Sequence, residues 1–182
     1  MSNEQLKQAV SALNSGKIIA YPTEAVYGLG CDPWQEHAVY SLLELKDRPW
    51  QKGLILIAAA FEQLDDFIEP INSDLAQQIH ASWPGPTTWV LPAKKQVPNY
   101  LRGEHKTIAV RVTAHPQTAE LCRQFGGAIV STSANKAGKQ PAKSSDEVRR
   151  HLPEVEIVLS GQCMGADKPT QIRDGQTGAI LR

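Results

Sequence analysis

Lys46-Asp47-Arg48-Pro49-Trp50-Gln51-Lys52-Gly53, followed at once by Leu54-Ile55-Leu56-Ile57-Ala58, is the stretch on which the fold turns. Pro49 biases Arg48 away from helical backbone, so a helix arriving from Glu36 has to end near Lys46 or Asp47. The apolar run after Gly53 reads as a buried strand. Lys46, Arg48 and Lys52 therefore lie on an irregular connection between a helix and a core strand. Binding groups concentrate on such connections because rigid elements hold both ends. Cations this close repel one another unless an anion comes between them. A phosphate chain suits the planar fork of Arg and the point charge of Lys. A solvated loop, with Lys46 complementing a helix C-terminus, is the competing reading, and both stay open on this stretch alone.

Working outward, helical and strand patterns alternate. Leu6, Ala9, Val10 and Leu13 repeat at helical spacing within residues 3–14, and Gly16 is a natural stop. Residues 17–21 read as a strand, 36–46 as an amphipathic helix and 54–58 as a strand. A short helix is expected over residues 61–68, and a longer one capped by Ser73. Strands are predicted at 87–91, 107–112, 128–130 and 155–159. Helices are predicted from His115-Pro116 to Gly126-Gly127 and after Ser145, which is expected to cap. Residues 94–106, with Lys94, Lys95, Arg102, His105 and Lys106, read as a polar loop, either solvated or a lid, and Gly161 to Pro169 as another loop. Residues 170–174 and 179–181 read as a terminal hairpin. The alternation predicts one α/β domain spanning residues 1–182, an open twisted mixed sheet flanked by helices; the late hairpin argues against an all-parallel sheet.

Two loops carry polar groups that a core does not need. Pro22-Thr23-Glu24-Ala25-Val26-Tyr27-Gly28-Leu29-Gly30-Cys31-Asp32-Pro33 follows a strand and reads as a long irregular connection. Thr23 and Glu24 fall where ligands bind in open α/β sheets, beyond a strand's carboxyl end. Gly28-Leu29-Gly30 lacks the third glycine of a dinucleotide fingerprint, and its glycines read equally as turn geometry. Ser131-Thr132-Ser133-Ala134-Asn135 follows a buried strand with four small polar residues in five. Capping a helix would use one, so the rest point to ligand hydrogen bonds. In Thr107-Ile108-Ala109-Val110-Arg111-Val112, strand alternation puts Thr107, Ala109 and Arg111 on one face, and an Arg there needs an anionic partner or an exposed edge.

Composition bounds the function. The chain has 182 residues, 41% hydrophobic and 21% charged, with 19 Lys plus Arg against 19 Asp plus Glu. Any anion site is therefore local, and net charge does not favour non-specific nucleic-acid binding. Cys31, Cys122 and Cys163 are isolated and odd in number, which suits reduced thiols and a cytoplasmic protein. The polar start at Met1-Ser2-Asn3-Glu4-Gln5 has no signal-peptide core, and no run is long enough to cross a membrane.

Together, Tyr21 to Gly30, Lys46-Asp47-Arg48-Pro49, Lys52-Gly53-Leu54, Ala109-Val110-Arg111-Val112 and Ser131 to Asn135 resemble the YrdC family in its single-domain bacterial form, from about residue 17 onward. The resemblance implies an open α/β fold with a positively lined concave cleft. It also implies a nucleotidyltransferase activity that makes threonylcarbamoyl-AMP and pyrophosphate from L-threonine, bicarbonate or carbon dioxide, and ATP. The product serves the modification of tRNAs that read codons starting with A, passing to partner proteins of the transfer machinery. By the same resemblance, Lys46, Arg48 and Lys52 contact the ATP phosphates. Ser133 and Asn135 lie at the nucleotide and threonine ends of the cleft. Thr23 meets threonine and Arg111 its carboxylate; Thr107, Lys143, Thr170 and Arg182 line the pocket. Mg²⁺ is expected to ride with ATP, with no protein metal site. Longer two-domain relatives carry Asn-Pro-Leu and a nearby His where this chain has Lys52-Gly53-Leu54 and Ile57. Sequence places no base beside Ser133, so it is not read as a nucleophile; Glu24 reads either as a base or as a loop anchor. One rival is an RNA-binding or ribosome-maturation factor on the same basic concavity, disfavoured by neutral charge and the lack of an aromatic platform. Another is a family member that hydrolyses or carbamoylates a different substrate.

Overall fold

The computed structural model describes residues 2–165 and 170–182. In chain order the elements are α1 (Asn3–Asn14), β1 (Ile19–Pro22), β2 (Tyr27–Gly30), α2 (Glu36–Leu45), β3 (Ile55–Ala58), α3 (Ser73–Ser82), β4 (Thr87–Pro92), α4 (Asn99–Arg102), β5 (Thr107–Val112), α5 (Pro116–Phe125), β6 (Ile129–Ser133), α6 (Ser145–His151), β7 (Ile157–Val158) and β8 (Gln171–Asp174). The strands form one sheet in the order β7-β1-β2-β6-β3-β5-β4-β8. β1–β7, β3–β5 and β4–β8 are parallel, and the other four neighbouring pairs are antiparallel. The mixed sheet agrees with the sequence reading.

Local chemistry accounts for the helix ends. The Ser2 hydroxyl accepts from the Gln5 amide while the Gln5 side chain accepts from the Ser2 amide, a capping box that starts α1. Two caps differ by one residue from expectation. Asn72, not Ser73, accepts from the Leu75 amide, and Ser144, not Ser145, accepts from the Glu147 amide. Each run offers two adjacent residues able to cap, and backbone geometry chooses the first. α5 ends on Gly126 in the left-handed conformation.

Other expectations need larger corrections. Tyr27–Gly30 is a strand paired with β1, not part of an irregular loop. Its residues alternate large and small because the Tyr21 ring occupies the space where Gly28 and Gly30 side chains would project. A Cβ on Gly30 would also come within 2.4 Å of the Val130 carbonyl oxygen. These glycines answer a packing need, not a turn. Residues 94–106 are not merely a polar loop: they contain α4 and bury Val97 and Leu101. The helix expected over 61–68 shrinks to a 3₁₀ turn at Phe61–Leu64, and the strand expected over 155–159 to Ile157–Val158. The expected terminal hairpin forms, with Asp174 donating to Ala179 O and Leu181 donating to Ile172 O. The loop expected at 161–169 lies outside the described residues at 166–169.

The sheet divides the interior in two. Ala20, Leu29, Leu56, Trp89, Leu91 and Val110 face one way and pack with Ala38, Val39 and Leu42 of α2, Ile79 of α3, Leu101 of α4 and Val148 of α6. Ile19, Tyr21, Ile57 and Ile129 face the other way and pack under Leu6, Ala9 and Leu13 of α1 and Leu121 and Cys122 of α5. Only one end of that second face is covered by helices, and the site lies at the other end.

Candidate functional site

The uncovered end of the second face is a cleft of about 730 Å³. Strand period decides what it shows. On β6, Ile129 lies under α5, while Ser131 and Ser133, on the same face two and four residues on, reach the cleft. On β5, Thr107, Ala109 and Arg111 all line it, as alternation predicts. β3 pairs Ile55 with Ala109, so Ile55 walls the cleft while Ile57 is core. The cleft thus sits at the carboxyl end of β6 and β1 but at the amino end of β3 and β5. A mixed sheet puts both kinds of strand end on one edge.

Along the described lining stand Arg48, Lys52, Arg102, Arg111, Lys143 and Arg182, and no Asp or Glu. On a chain with equal numbers of acids and bases, that described lining is one-sided in charge, the local arrangement an anion would need. Of the residues selected from sequence, Thr23, Arg48, Lys52, Thr107, Arg111, Ser133, Lys143, Thr170 and Arg182 line it. Lys46 and Asn135 do not, although both touch the residues that do.

Arg48 owes its place to a helix end. The Asp47 amide donates to Glu44 O and the Arg48 amide to Leu43 O, the paired bonds of a Schellman motif after α2. Asp47 takes the left-handed position with φ of 49°, which short Asp tolerates. Arg48 then leaves in a fixed direction. Its Nη2 donates to Gly53 O at 2.7 Å, while its Nε is buried without a partner. Gly53 has φ of 64°, and a Cβ there would lie 2.9 Å from Arg102 O. Burial, and secondarily Arg182 nearby, push the Arg48 guanidinium below its ordinary value. A desolvated guanidinium beside a second cation is relieved by an anion brought close to it.

Lys46 departs from expectation. It is buried, and its Nζ donates to Ser133 O at 2.5 Å and to Asn135 O at 2.7 Å. Burial, with Arg48 adding repulsion, lowers its ammonium to about 8. Asn135 is also engaged. Its Nδ2 donates to Lys136 O and Lys139 O, both at 2.9 Å, and its Oδ1 accepts from the Ser133 hydroxyl at 2.6 Å. Neither residue presents its polar atoms to the cleft, because each has already met main-chain or neighbouring partners.

At the inner end, Arg111 is 5% exposed, and its Nη2 lies 3.5 Å from Glu24 Oε2. The anionic partner that an Arg on this strand requires is therefore Glu24. The other carboxylate oxygen of Glu24 accepts from the Thr113 hydroxyl at 2.6 Å and from the Ala114 amide at 3.0 Å. Of its two sequence readings, these bonds place Glu24 as the anchor tying the β1–β2 turn to the end of β5. Arg111 Nε and Glu24 Oε2 make no hydrogen bond. A buried donor left open beside a cleft is what a bound carboxylate would satisfy. Thr23 lines the cleft, but its hydroxyl donates to Val26 O at 2.7 Å within the turn.

Sequence reasoning missed His105, Gln140, Pro141, Ile172 and Leu181. They come from three separate segments with no local pattern to mark them. It also missed Arg102, whose Nε donates to Val97 O and Nη1 to His105 O, so this cation braces its own loop. No group of three His, Cys, Asp or Glu side chains among the described residues could hold a metal ion.

The family model for the Sua5/YciO/YrdC domain, described as telomere recombination, matches residues 11–182. The chain belongs to this family. It is 51% identical to the threonylcarbamoyl-AMP synthase of Halorhodospira halophila over 98% of this chain and 94% of that one. It is 50% identical to the enzyme of the same name from Methylococcus capsulatus, over 100% of this chain and 98% of that one. The structure of P. abyssi Sua5 complexed with L-threonine superposes with a TM-score of 0.93 at 31% identity, over 100% of this chain and 54% of that one. This chain thus spans about half the length of that Sua5.

Proposed function

We infer that this member of the Sua5/YciO/YrdC family is a threonylcarbamoyl-AMP synthase, a nucleotidyltransferase that joins L-threonine, bicarbonate or carbon dioxide, and the adenylate of ATP. One observation carries the reading: near-full-length relatives at about half identity bear that name, and the cleft of this chain has six cations and no acid along its described lining. The threonine bound by P. abyssi Sua5, whose domain superposes on the whole chain, supports the amino-acid half.

The neutral amine of threonine attacks the carbon of carbon dioxide, forming the N–C bond and giving up a proton to solvent, or that of bicarbonate with loss of water; either route gives a carbamate. A carbamate oxygen then attacks the α-phosphorus, the bond to the bridging oxygen breaks, and pyrophosphate leaves. Such transfers depend on position and on charge stabilisation more than on covalent help. Arg48, Lys52, Lys143 and Arg182 neutralise the phosphate chain, and desolvation of Arg48 strengthens its pull on developing charge. Arg111, steadied by Glu24, receives the amino acid's carboxylate. Ser133, on the cleft wall, orients rather than attacks, because its hydroxyl is bonded to Asn135 and to no base. Magnesium would ride with the nucleotide's own oxygens, in keeping with a described lining that has no carboxylate. The product then passes, in the cytoplasm, to partner proteins that modify tRNA.

Pyrophosphate release from ATP and bicarbonate, with L-threonine and with other amino acids, tests the reading. Release that depends on threonine is expected. Equal release with serine, alanine or no amino acid would overturn it.

A further inference from the structure

Lys46 and Arg48 stand two residues apart in a basic loop, yet only Arg48 opens into the cleft. The Lys46 ammonium has three donors, and two of them end on main-chain carbonyls, one at the last residue of β6 and one in the turn that follows it. The contact is reciprocal, because the Ala137 amide donates to Lys46 O at 3.2 Å. Asn135 continues the frame. With both of its amide hydrogens on the Lys136 and Lys139 carbonyls, its oxygen has to face Ser133, and the Ser133 proton has to point at it. Ser133 is the member of this frame that lines the cleft, and it shows the cleft its lone pairs.

We propose that Lys46 and Asn135 are positioning residues forming a single staple: they fix the Ser133 hydroxyl as a hydrogen-bond acceptor in the cleft that Arg48 also lines, and leave the phosphates to Arg48 and Lys52. This rests on the synthase reading for its kinetic consequence but not for its structural one. A lysine contacting phosphate would act chiefly through nucleotide affinity. A lysine holding a turn acts through the geometry of the reacting groups, and its loss is not additive with loss of the turn's other brace.

The test compares Lys46→Met, Asn135→Ala, their double variant and Arg48→Ala in the full chain. ATP affinity is measured by calorimetry, pyrophosphate release is resolved into kcat and KM, and amide exchange is followed at Ala134, Asn135 and Ala137. Lys46→Met and Asn135→Ala should each lower kcat by roughly tenfold or more while ATP affinity stays within about threefold of the parent. The double variant should be no worse than the poorer single one. Exchange at the three amides should quicken in Lys46→Met and not in Arg48→Ala. Loss of ATP affinity in Lys46→Met equal to that in Arg48→Ala, multiplicative effects in the double variant, or unchanged amide exchange would each overturn the staple. If Lys46→Met does not fold, Asn135→Ala decides: kcat lowered at constant ATP affinity supports the staple, and weakened ATP affinity overturns it. An inactive parent that still binds ATP would end the synthase reading, and the affinity and exchange arms would still decide the staple.

Discussion

Two regions of one sheet face, a few ångströms apart, do opposite work. At one end Ile57, Ile129, Ile19 and Tyr21 lie under α1 and α5 and are sealed from water. At the other end β3 and β6, one pleat on, show Ile55, Ser131 and Ser133 to an open cleft, and neighbouring β5 adds Ala109 and Arg111. The covered end gains its free energy from apolar area removed from water and tolerates no polar atom without a partner. The open end keeps unmatched charge and unpartnered donors, which cost stability and are useful only to a ligand. Arg111 sits at the border, opposite Ile57 in register, and Glu24 is what makes a guanidinium possible there.

The largest expected effect breaks the open end alone. Arg48→Ala should lower kcat/KM by about a hundredfold or more, the scale of losing a preorganised charge, with the circular-dichroism spectrum and melting temperature unchanged. A normal kcat/KM in that variant would remove Arg48 from the site. On the covered end, Leu56→Ala should cost about 2–5 kcal/mol in urea unfolding while the folded fraction keeps its kcat. At the border, Glu24→Ala should cost about 3 kcal/mol by stranding buried Arg111, and should raise KM for threonine more than KM for ATP. Equal rises in both would place Arg111 away from the amino acid.

Smaller effects sharpen the contrast. Lys46 carries a burial cost, because the folded chain holds its ammonium near 8 against the ordinary 10.5. Between these values the unfolded chain binds more protons, so stability should rise with pH from about 8 to about 10.5, by about 3 kcal/mol at most. The comparison is with Lys46→Met, which should lack this rise; parallel curves would refute it. The smallest effect belongs to the surface pair Lys17–Glu156, at 2.8 Å but well exposed at both ends. Glu156→Gln should leave the urea midpoint unchanged, since solvent and salt screen such pairs.

Much of this was legible in the chain. Pro49 did end a helix near Lys46, Thr107, Ala109 and Arg111 did share a face, and the polar tail of β6 did reach a cleft. Local pattern carries such information because backbone period and the geometry around proline act over a few residues. β2 was misread because two glycines in a run bounded by prolines and polar residues look like an irregular connection, and only the Tyr21 ring lying over them gives the glycines their reason. The caps at Asn72 and Ser144 were missed by a single residue, for want of any local difference between neighbours that can both cap.

The amino-acid order by itself settled the kinds of elements, the mixed sheet and the short list of polar segments that had to meet something other than a core. Tertiary structure decided which of those side chains remain free. Lys46 and Arg48 are nearly the same in charge and position along the chain, yet one is consumed by carbonyls 87 and 89 residues away and the other faces the cleft. Desolvation and hydrogen-bond partners depend on what the folded chain brings alongside, and no local pattern in a basic loop records that.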